Sequence, residues 1–541
     1  MLTELKNLID NFEIISFDMY DTLLFRPFMK PEDVFAYLGR LKNNKEFYTK
    51  RLSAETKARK NICNNEIQEI TFNEIYNHID DKFKNFKELE ENFEAQILRP
   101  NLKMLDVYKY ALSKNKKIII TSDMYFEKEF LSNILVKNGF IGFSKLYVSS
   151  KYRKAKWSGE LYKIICDDLN VKPDKILHIG DNKNSDIKKA SEIGINTYYF
   201  EQIKEQFIKN IENKRLVSFY NNNKNNVFTS MLLGLRIINW YNKQNDNYWQ
   251  TFGYNYGGIL VLAFIQAVIS ISKIRNISDI FFVARDGFVL NEIFKSMFDN
   301  CIKATKPHYI YASRKLRSLC INDDYKNCKY NRDSDKEYQK YINSINLQGN
   351  NILIVDTCAL NYSAQTLLEK YLPDKTVIAV YLAACKNYTY NYINLFTKEF
   401  ENPGFNWNII ELLLTSNEPQ IVDIKNLNPV YLDNNNDNYP YELKRIESFN
   451  KTFEGEKAFV KDYLEIFKNY ECDIDFKIII EYFKNYYENL SAEDKNALKQ
   501  IFHPADPEQK EYVPLYKEEI NPLIAKLKAN MQKSKEALNA K

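Results

Sequence analysis

The chain has 541 residues, too many for one hydrophobic core and enough for two or three domains. Its net charge of +5 is small for that size, and no arginine-rich stripe or basic run interleaved with aromatics stands out, so nucleic acid is not an expected partner. The eight cysteines never form a CxxC pair and the four histidines stand apart from one another, which argues against zinc fingers and a disulfide scaffold and fits a reducing, cytoplasmic setting.

The first residues, MLTELKNLIDNFEIISF, lack the basic start, apolar run and small-residue cleavage site of a signal peptide. Glu13-Ile-Ile-Ser-Phe17 reads as a buried strand ending at Asp18. Residues 31–98 read as consecutive helices, an insertion able to cover strand ends as a lid. Lys117-Ile-Ile-Ile-Thr121 is a second strand, ending at Ser122-Asp123, and a helix follows over 127–138. Lys145-Leu-Tyr-Val-Ser149, a helix over 158–169, Lys175-Ile-Leu-His-Ile179 before Gly180-Asp181, and Asn196-Thr-Tyr-Tyr-Phe200 continue the alternation. Apolar strands joined by helices predict a parallel sheet covered on both faces, with its ligand crevice at the carboxyl ends of the strands.

The polar run Asn221-Asn-Asn-Lys-Asn-Asn226 is the expected linker, placing a first domain at 1–215, with a cap at about 27–100, and a linker at 216–226. A second α/β domain is expected over 227–448, with strands at Asp279-Ile-Phe-Phe-Val-Ala284, Tyr309-Ile-Tyr-Ala312, Asn351-Ile-Leu-Ile-Val355 and Thr376-Val-Ile-Ala-Val-Tyr381. The apolar stretch 257–272 is shorter than the ~20 residues a spanning helix needs and is interrupted by Gln266, so a buried core helix is expected and no transmembrane segment. From 449 to 541 the pattern is helical, with a Lys-rich end over 526–541 expected as a solvated tail; no pattern sets an oligomeric state.

The residues at the strand ends carry the chemistry. Phosphate esters react slowly with water, and a carboxylate nucleophile such as Asp18 splits hydrolysis into two easier displacements through an aspartyl-phosphate. The phosphoryl group repels a bare carboxylate, so a cation is required; Mg²⁺ suits carboxylate oxygens. Asp181 is placed to reach it and Asp186 to bind or brace it. Lys156 would neutralise the phosphate and the nucleophile, with Lys154 and Arg153 as alternatives. Ser122 would donate to a phosphoryl oxygen, with Thr121 as its rival. On the insertion, Arg51, Glu55 and Arg59 recur at i, i+4 and i+8, with Glu91 and Glu94 on a later helix, as either a surface ladder of ion pairs or a polar lid surface gripping the substrate.

This order of strand–Asp, strand–Ser, Lys and strand–Gly-Asp-x4-Asp resembles the four motifs of the haloacid dehalogenase superfamily over roughly residues 10 to 200, and the insertion after the first motif matches its C1-type cap. The resemblance implies a Rossmann-like α/β domain with a helical cap. It implies a Mg²⁺ site of Asp18, Asp181, Asp186 and position 20, and substrate contacts from Thr22 and Asp123. The superfamily's phosphatases carry a second aspartate two positions after the nucleophile as acid and base; here that position is Tyr20, as in the dehalogenase branch, so the proton donor is Asp21, a cap residue or the substrate itself.

In the second half, Val283-Ala-Arg285-Asp286-Gly287, Asp356 and Arg314 again follow strands and could line a crevice for a phosphate or sugar diphosphate. The whole layout loosely resembles predicted hydrolases of bacterial capsule and lipopolysaccharide assembly, which implies a carbohydrate-linked phosphorylated small molecule as substrate. The alternative is a glycan-assembly transferase whose active centre lies in the C-terminal half.

Overall fold

The structure is a computed structural model that describes residues 2–242, 247–322, 330–387, 389–396, 406–468, 474–504 and 512–517. It divides into two compact units: residues 1–246 together with 461–469, and residues 247–460 together with 470–541.

In the first unit β1 (Ile14–Phe17) is buried at every position. A short antiparallel pair, β2 (Leu24–Phe25) and β3 (Arg99–Pro100), then forms the neck of the insertion, with Leu24 opposite Pro100. Between them lie the helices Asp33–Leu41, Phe47–Ile62, Phe72–Asn77 and Phe86–Ile97, as the sequence predicts. Phe72–Asn77 starts at a capping box in which Thr71 accepts from Glu74 N and the Glu74 side chain accepts from Thr71 N. The chain returns to the sheet as β4 (Lys117–Ser122), β5 (Lys145–Val148), β6 (Ile176–Gly180) and β7 (Asn196–Tyr199). The sheet is parallel throughout, in the order β5-β4-β1-β6-β7, so the order reverses between β1 and β6.

The expected linker lies inside this unit. Residues 214–222 are helical, and the Asn226 side chain accepts from Phe228 N at 2.9 Å to start the helix Val227–Asn242. That helix packs on the neck: Ser230 Oγ accepts from Met29 N at 2.8 Å, and a Cβ on Gly234 would lie 2.2 Å from the Pro27 carbonyl carbon. The asparagines that resemble a spacer act as caps, and the units divide after residue 246.

The second unit holds β8 (Asp279–Val283), β9 (Lys306–Ile310), β10 (Asn351–Ala359), β11 (Thr376–Ala384) and β12 (Tyr392–Asn394) in a second parallel sheet of order β9-β8-β10-β11-β12. β9 starts three residues and ends two residues earlier than expected. The apolar stretch 257–272 belongs to the helix Tyr248–Arg275, whose 28 residues exceed what the run suggested. That helix is long and apolar enough to cross a membrane, and 72% of its most apolar window is buried inside the protein. A hairpin of β13 (Ile421–Lys425) and β14 (Asn428–Tyr431) precedes the helices Tyr439–Phe467, Phe476–Glu488 and Ala492–Lys499. The helical run therefore starts ten residues before the expected 449, and it is followed by an unexpected hairpin, β15 (Phe502–Pro504) with β16 (Tyr512–Pro514). The Lys-rich end at 526–541 lies outside the described residues.

Candidate active site

Asp18 follows β1, and its N–H donates to the Ile179 carbonyl at 2.8 Å, tying the ends of β1 and β6 together at the point where the strand order reverses. Lys156 is buried between two carboxylates: its Nζ lies 2.5 Å from Asp18 Oδ1 and 2.6 Å from Asp186 Oδ1. Burial alone would push this ammonium down; Asp18 and Asp186 outweigh it and hold Lys156 well above the ordinary lysine range. The two alternatives are spent elsewhere. Arg153, in a left-handed conformation, pairs with both oxygens of Glu74, and Lys154 points to the Asn65 carbonyl.

Asp181, after β6, completes the group. Ligand atoms of Asp18, Asp181 and Asp186 lie within 4.8 Å of one another. Thr22 Oγ1 donates to Asp181 Oδ1 at 3.3 Å, and Gln202 Nε2 donates to Asp181 Oδ2. Asn182 N donates to Asp186 Oδ2 at 2.9 Å. A Cβ on Gly180 would stand 2.5 Å from the Asp186 carboxyl, so the close approach of that carboxyl needs glycine there.

Three carboxylates facing one ammonium leave negative charge uncompensated. Burial, opposed by Lys156 and reinforced by Asp186 and Asp181, pushes the Asp18 carboxyl well above the carboxylate range. Burial pushes Asp181 up to about 6, against the hydrogen bond from Gln202 and with Asp21 and Asp186 adding repulsion. Asp186 is itself buried, but Lys156 and His178 hold it below that range. Asp18 Oδ2 is buried with no hydrogen-bond partner among the described residues. An orphaned carboxylate oxygen beside two further carboxylates, all hard oxygen donors, fits a divalent cation such as Mg²⁺.

The remaining predicted residues divide between the site and its supports. Ser122 is buried at the end of β4, whereas Thr121 turns its hydroxyl to Ser16 Oγ at 3.0 Å, part of a chain running from Ser16 to His178 Nδ1 at 2.8 Å and from His178 Nε2 to Asp186 Oδ1 at 3.2 Å. Sequence reasoning missed His178 and Ser16, although a histidine inside an apolar strand was the available signal. Asp123, expected at the substrate, instead accepts from Lys156 N at 2.8 and 3.0 Å and so fastens the turn that presents Lys156. Asp21 sits in a left-handed turn with its carboxylate 3.5 Å from Lys204 Nζ. The Tyr20 ring lies under the Arg26 guanidinium, 4.2 Å from ring centroid to Cζ, and Arg26 pairs with Glu94 at 2.6 Å. Burial and then Glu94 hold the Tyr20 phenol well above its usual range.

The insertion's charged ladder runs from a buried residue, Arg51, to the part-exposed Glu55 and Arg59. Arg51 is fully buried, with Nε and Nη2 donating to Glu90 at 2.9 and 2.8 Å and Nη1 to Glu55 at 3.1 Å. Its guanidinium lies over Phe35 at 4.4 Å and Tyr125 at 5.2 Å. Arg59 joins Glu55 to Glu69 at 3.0 and 2.6 Å.

The first unit therefore has the architecture that the motifs implied: a Rossmann-like parallel sheet with a helical cap and carboxylates gathered where the strand order reverses. No protein-family model matches the chain, and no curated protein matches it. Among solved structures, it is similar to a haloacid dehalogenase family enzyme from Bacteroides thetaiotaomicron in complex with magnesium and inorganic phosphate, at 17% identity and a TM-score of 0.27, over 36% of this chain and 96% of that one. It is also similar to a 2-haloacid dehalogenase from Pseudomonas syringae pv. tomato, at 12% identity and a TM-score of 0.27, over 35% and 86% of the two chains. An L-2-haloacid dehalogenase matches at 15% identity and a TM-score of 0.28, over 36% and 86%.

Proposed function

We propose that the first unit is a magnesium-dependent phosphoryl-transfer enzyme of the haloacid dehalogenase type that acts on a small, carbohydrate-linked phosphorylated metabolite through an aspartyl-phosphate on Asp18. The observation that carries this is the convergence of Asp18, Asp181 and Asp186 beyond paired strand ends, with the buried Lys156 between Asp18 and Asp186. Those carboxylates, with Tyr20, would hold Mg²⁺, which would supply the charge that lets a phosphate ester approach a carboxylate. Asp18 forms the new bond to phosphorus, the ester bond breaks with its electron pair going to the leaving oxygen, and that oxygen takes a proton from water to leave as the alcohol. Lys156 neutralises phosphoryl oxygens and holds Asp18 in line, and Ser122 donates a hydrogen bond. Water then displaces Asp18 from phosphorus.

Position 20 supplies no carboxylate for this second step, and the Tyr20 phenol stays protonated, so the phosphoenzyme outlives that of an enzyme with a base there. The carbohydrate link is supported by the loose resemblance of the second half to hydrolases of surface polysaccharide assembly, and a cytoplasmic setting by the scattered thiols. The test is a panel of sugar phosphates with Mg²⁺, read by phosphate release and by mass spectrometry of the peptide holding Asp18. The reading expects a phosphorylated Asp18 peptide in the wild type and at least about a thousandfold less turnover in Asp18→Asn. Turnover that survives Asp18→Asn overturns it, as does halide release from a 2-haloacid without any phosphoryl transfer.

A further inference from the structure

The second unit gathers its own polar groups where its strand order reverses. In the order β9-β8-β10-β11-β12 the reversal falls between β8 and β10, and ligands of open parallel sheets sit at the carboxyl ends of the strands at such a point. Asp286 follows β8, and Asp356 lies one residue past the β8–β10 pairing, which ends with Val355 opposite Phe282. Glu411, on the helix Asn408–Leu414, joins them through a contact of 3.8 Å from Cys358 Sγ to its Oε1. Burial and the neighbouring Asp286 push Asp356 up to about 7; burial, Asp286 and Asp356 push Glu411 up to about 8 against the pull of Arg314.

Basic groups share the same lining. Arg285 and Arg445 share one carboxylate, Glu442, at 2.6 and 3.0 Å. Arg445 is only 6% exposed, and burial together with Arg285 pushes it down to about 10; its Nη1 donates to Thr415 Oγ1 at 2.8 Å and to the Ser416 carbonyl, its Nη2 to the Glu418 carbonyl, and its Nε has no partner among the described residues. Arg314 is exposed at the start of the helix Arg314–Cys320, which follows β9 at the carboxyl end of the sheet, is close enough to lower Asp286, Asp356 and Glu411, and makes no hydrogen bond or ion pair among the described residues. Arg285, Asp286, Glu411, Glu442, Arg445 and Phe502 are among the residues lining a cavity here; its volume of about 40 Å³ takes one polar group or water, leaving the body of a ligand outside it.

A crevice that mixes carboxylates with guanidiniums suits neither a simple anion nor a simple cation. The carboxylates that converge to metal-binding distance among the described residues are Asp18, Asp181 and Asp186, not these. We propose that this crevice binds a phosphorylated sugar, whose hydroxyls donate to Asp286, Asp356 and Glu411, whose phosphate is held by Arg314, and whose C–H face lies on Phe502. Sugar hydroxyls donate hydrogen bonds to carboxylates, and a guanidinium pairs with phosphate oxygens.

The test is hydrogen exchange of the full chain, read by mass spectrometry, with glucose 1-phosphate, ribose 5-phosphate, glucose and inorganic phosphate as separate probes. Peptides over 283–290, 354–360 and 408–415 report this crevice, and peptides over 14–24 and 176–188 report the first unit, so failure of one reading is distinguishable from failure of the other. The proposal expects protection of the former by at least one sugar phosphate, tighter by about tenfold or more than by glucose or phosphate, the scale of one charge-assisted hydrogen bond. Arg314→Gln, a change at an exposed residue, should bring that affinity down to the level of the free sugar, and Asp356→Asn should abolish protection. Absence of protection in those peptides with both sugar phosphates overturns the proposal. So does binding unchanged in Arg314→Gln and Asp356→Asn, or inorganic phosphate binding as tightly as the sugar phosphates.

Discussion

Lys156 satisfies Asp18 and Asp186 together. Lys156→Met therefore leaves two buried carboxylates without their cation. Removing one partner of a buried ion pair costs about 3–5 kcal/mol, so calorimetry of this variant should show a lowered unfolding transition. Added Mg²⁺ should restore part of the loss, because the cation takes over the charge that Lys156 supplied.

A second prediction at this scale concerns pH. Asp181 is raised from 3.8 to about 6, so in metal-free protein its contribution to stability is full below pH 4 and is lost as the pH rises through 6. Mg²⁺ competes with that proton. The rise in melting temperature on adding Mg²⁺ should accordingly be larger at pH 7.5 than at pH 5, and Asp181→Asn should flatten the difference.

Which residue would do which job was partly legible at this scale. Asp18, Asp181 and Asp186 could be named because they follow apolar strands. The choice of Lys156 over Lys154 and Arg153 could not, because it depends on left-handed turns at Arg153 and Gly159 that orient the three side chains. Asp123 looked like a substrate ligand because it sits beside Ser122; only the fold shows its carboxylate turned onto the Lys156 backbone.

At the scale of elements, the cap is held by a polar network as much as by its aromatic packing. Glu90 is buried and takes hydrogen bonds from Arg51 and from Tyr76 Oη at 2.7 Å. Arg51→Met leaves Glu90 without its cation, again a loss of about 3–5 kcal/mol. Amide exchange should accelerate in the helices Phe47–Ile62 and Phe86–Ile97 while β1, β4 and β6 keep their protection. The i, i+4 spacing of Arg51, Glu55 and Arg59 gave the right pairs, but spacing along one helix carries no information about the second helix that buries it. Strands buried on both faces, such as β1 and β4, were legible from their apolar runs. β9, with Lys306, Pro307, His308 and Tyr309 half-buried at a sheet edge, lacks such a run and was placed too late.

At the scale of the molecule, the first unit is discontinuous in sequence. Residues 461–469 belong to it, and Phe467 packs on Phe28, Tyr37 and Phe93 with ring centroids 5.8, 5.3 and 6.3 Å away, while Gln96 Nε2 donates to the Ile466 carbonyl at 2.8 Å. A fragment ending at residue 246 would expose those three rings. It should bind a hydrophobic dye and unfold at a lower temperature than the full chain, and a fragment ending at 226 should do worse because it also loses the helix Val227–Asn242. Sequence patterns locate boundaries by composition, and here composition misled twice. Capping asparagines imitated a spacer at 221–226, and nothing distinguishes residues 461–469 from the rest of the long helix Tyr439–Phe467.

The same nine residues bear on biosynthesis. A ribosome adds roughly 5–20 residues per second, so about ten to forty-five seconds separate residue 246 from residue 469. Throughout that interval the nascent polypeptide trails an amino-terminal half whose cap still waits for Phe467, a window in which chaperones would be drawn to its aromatic pocket.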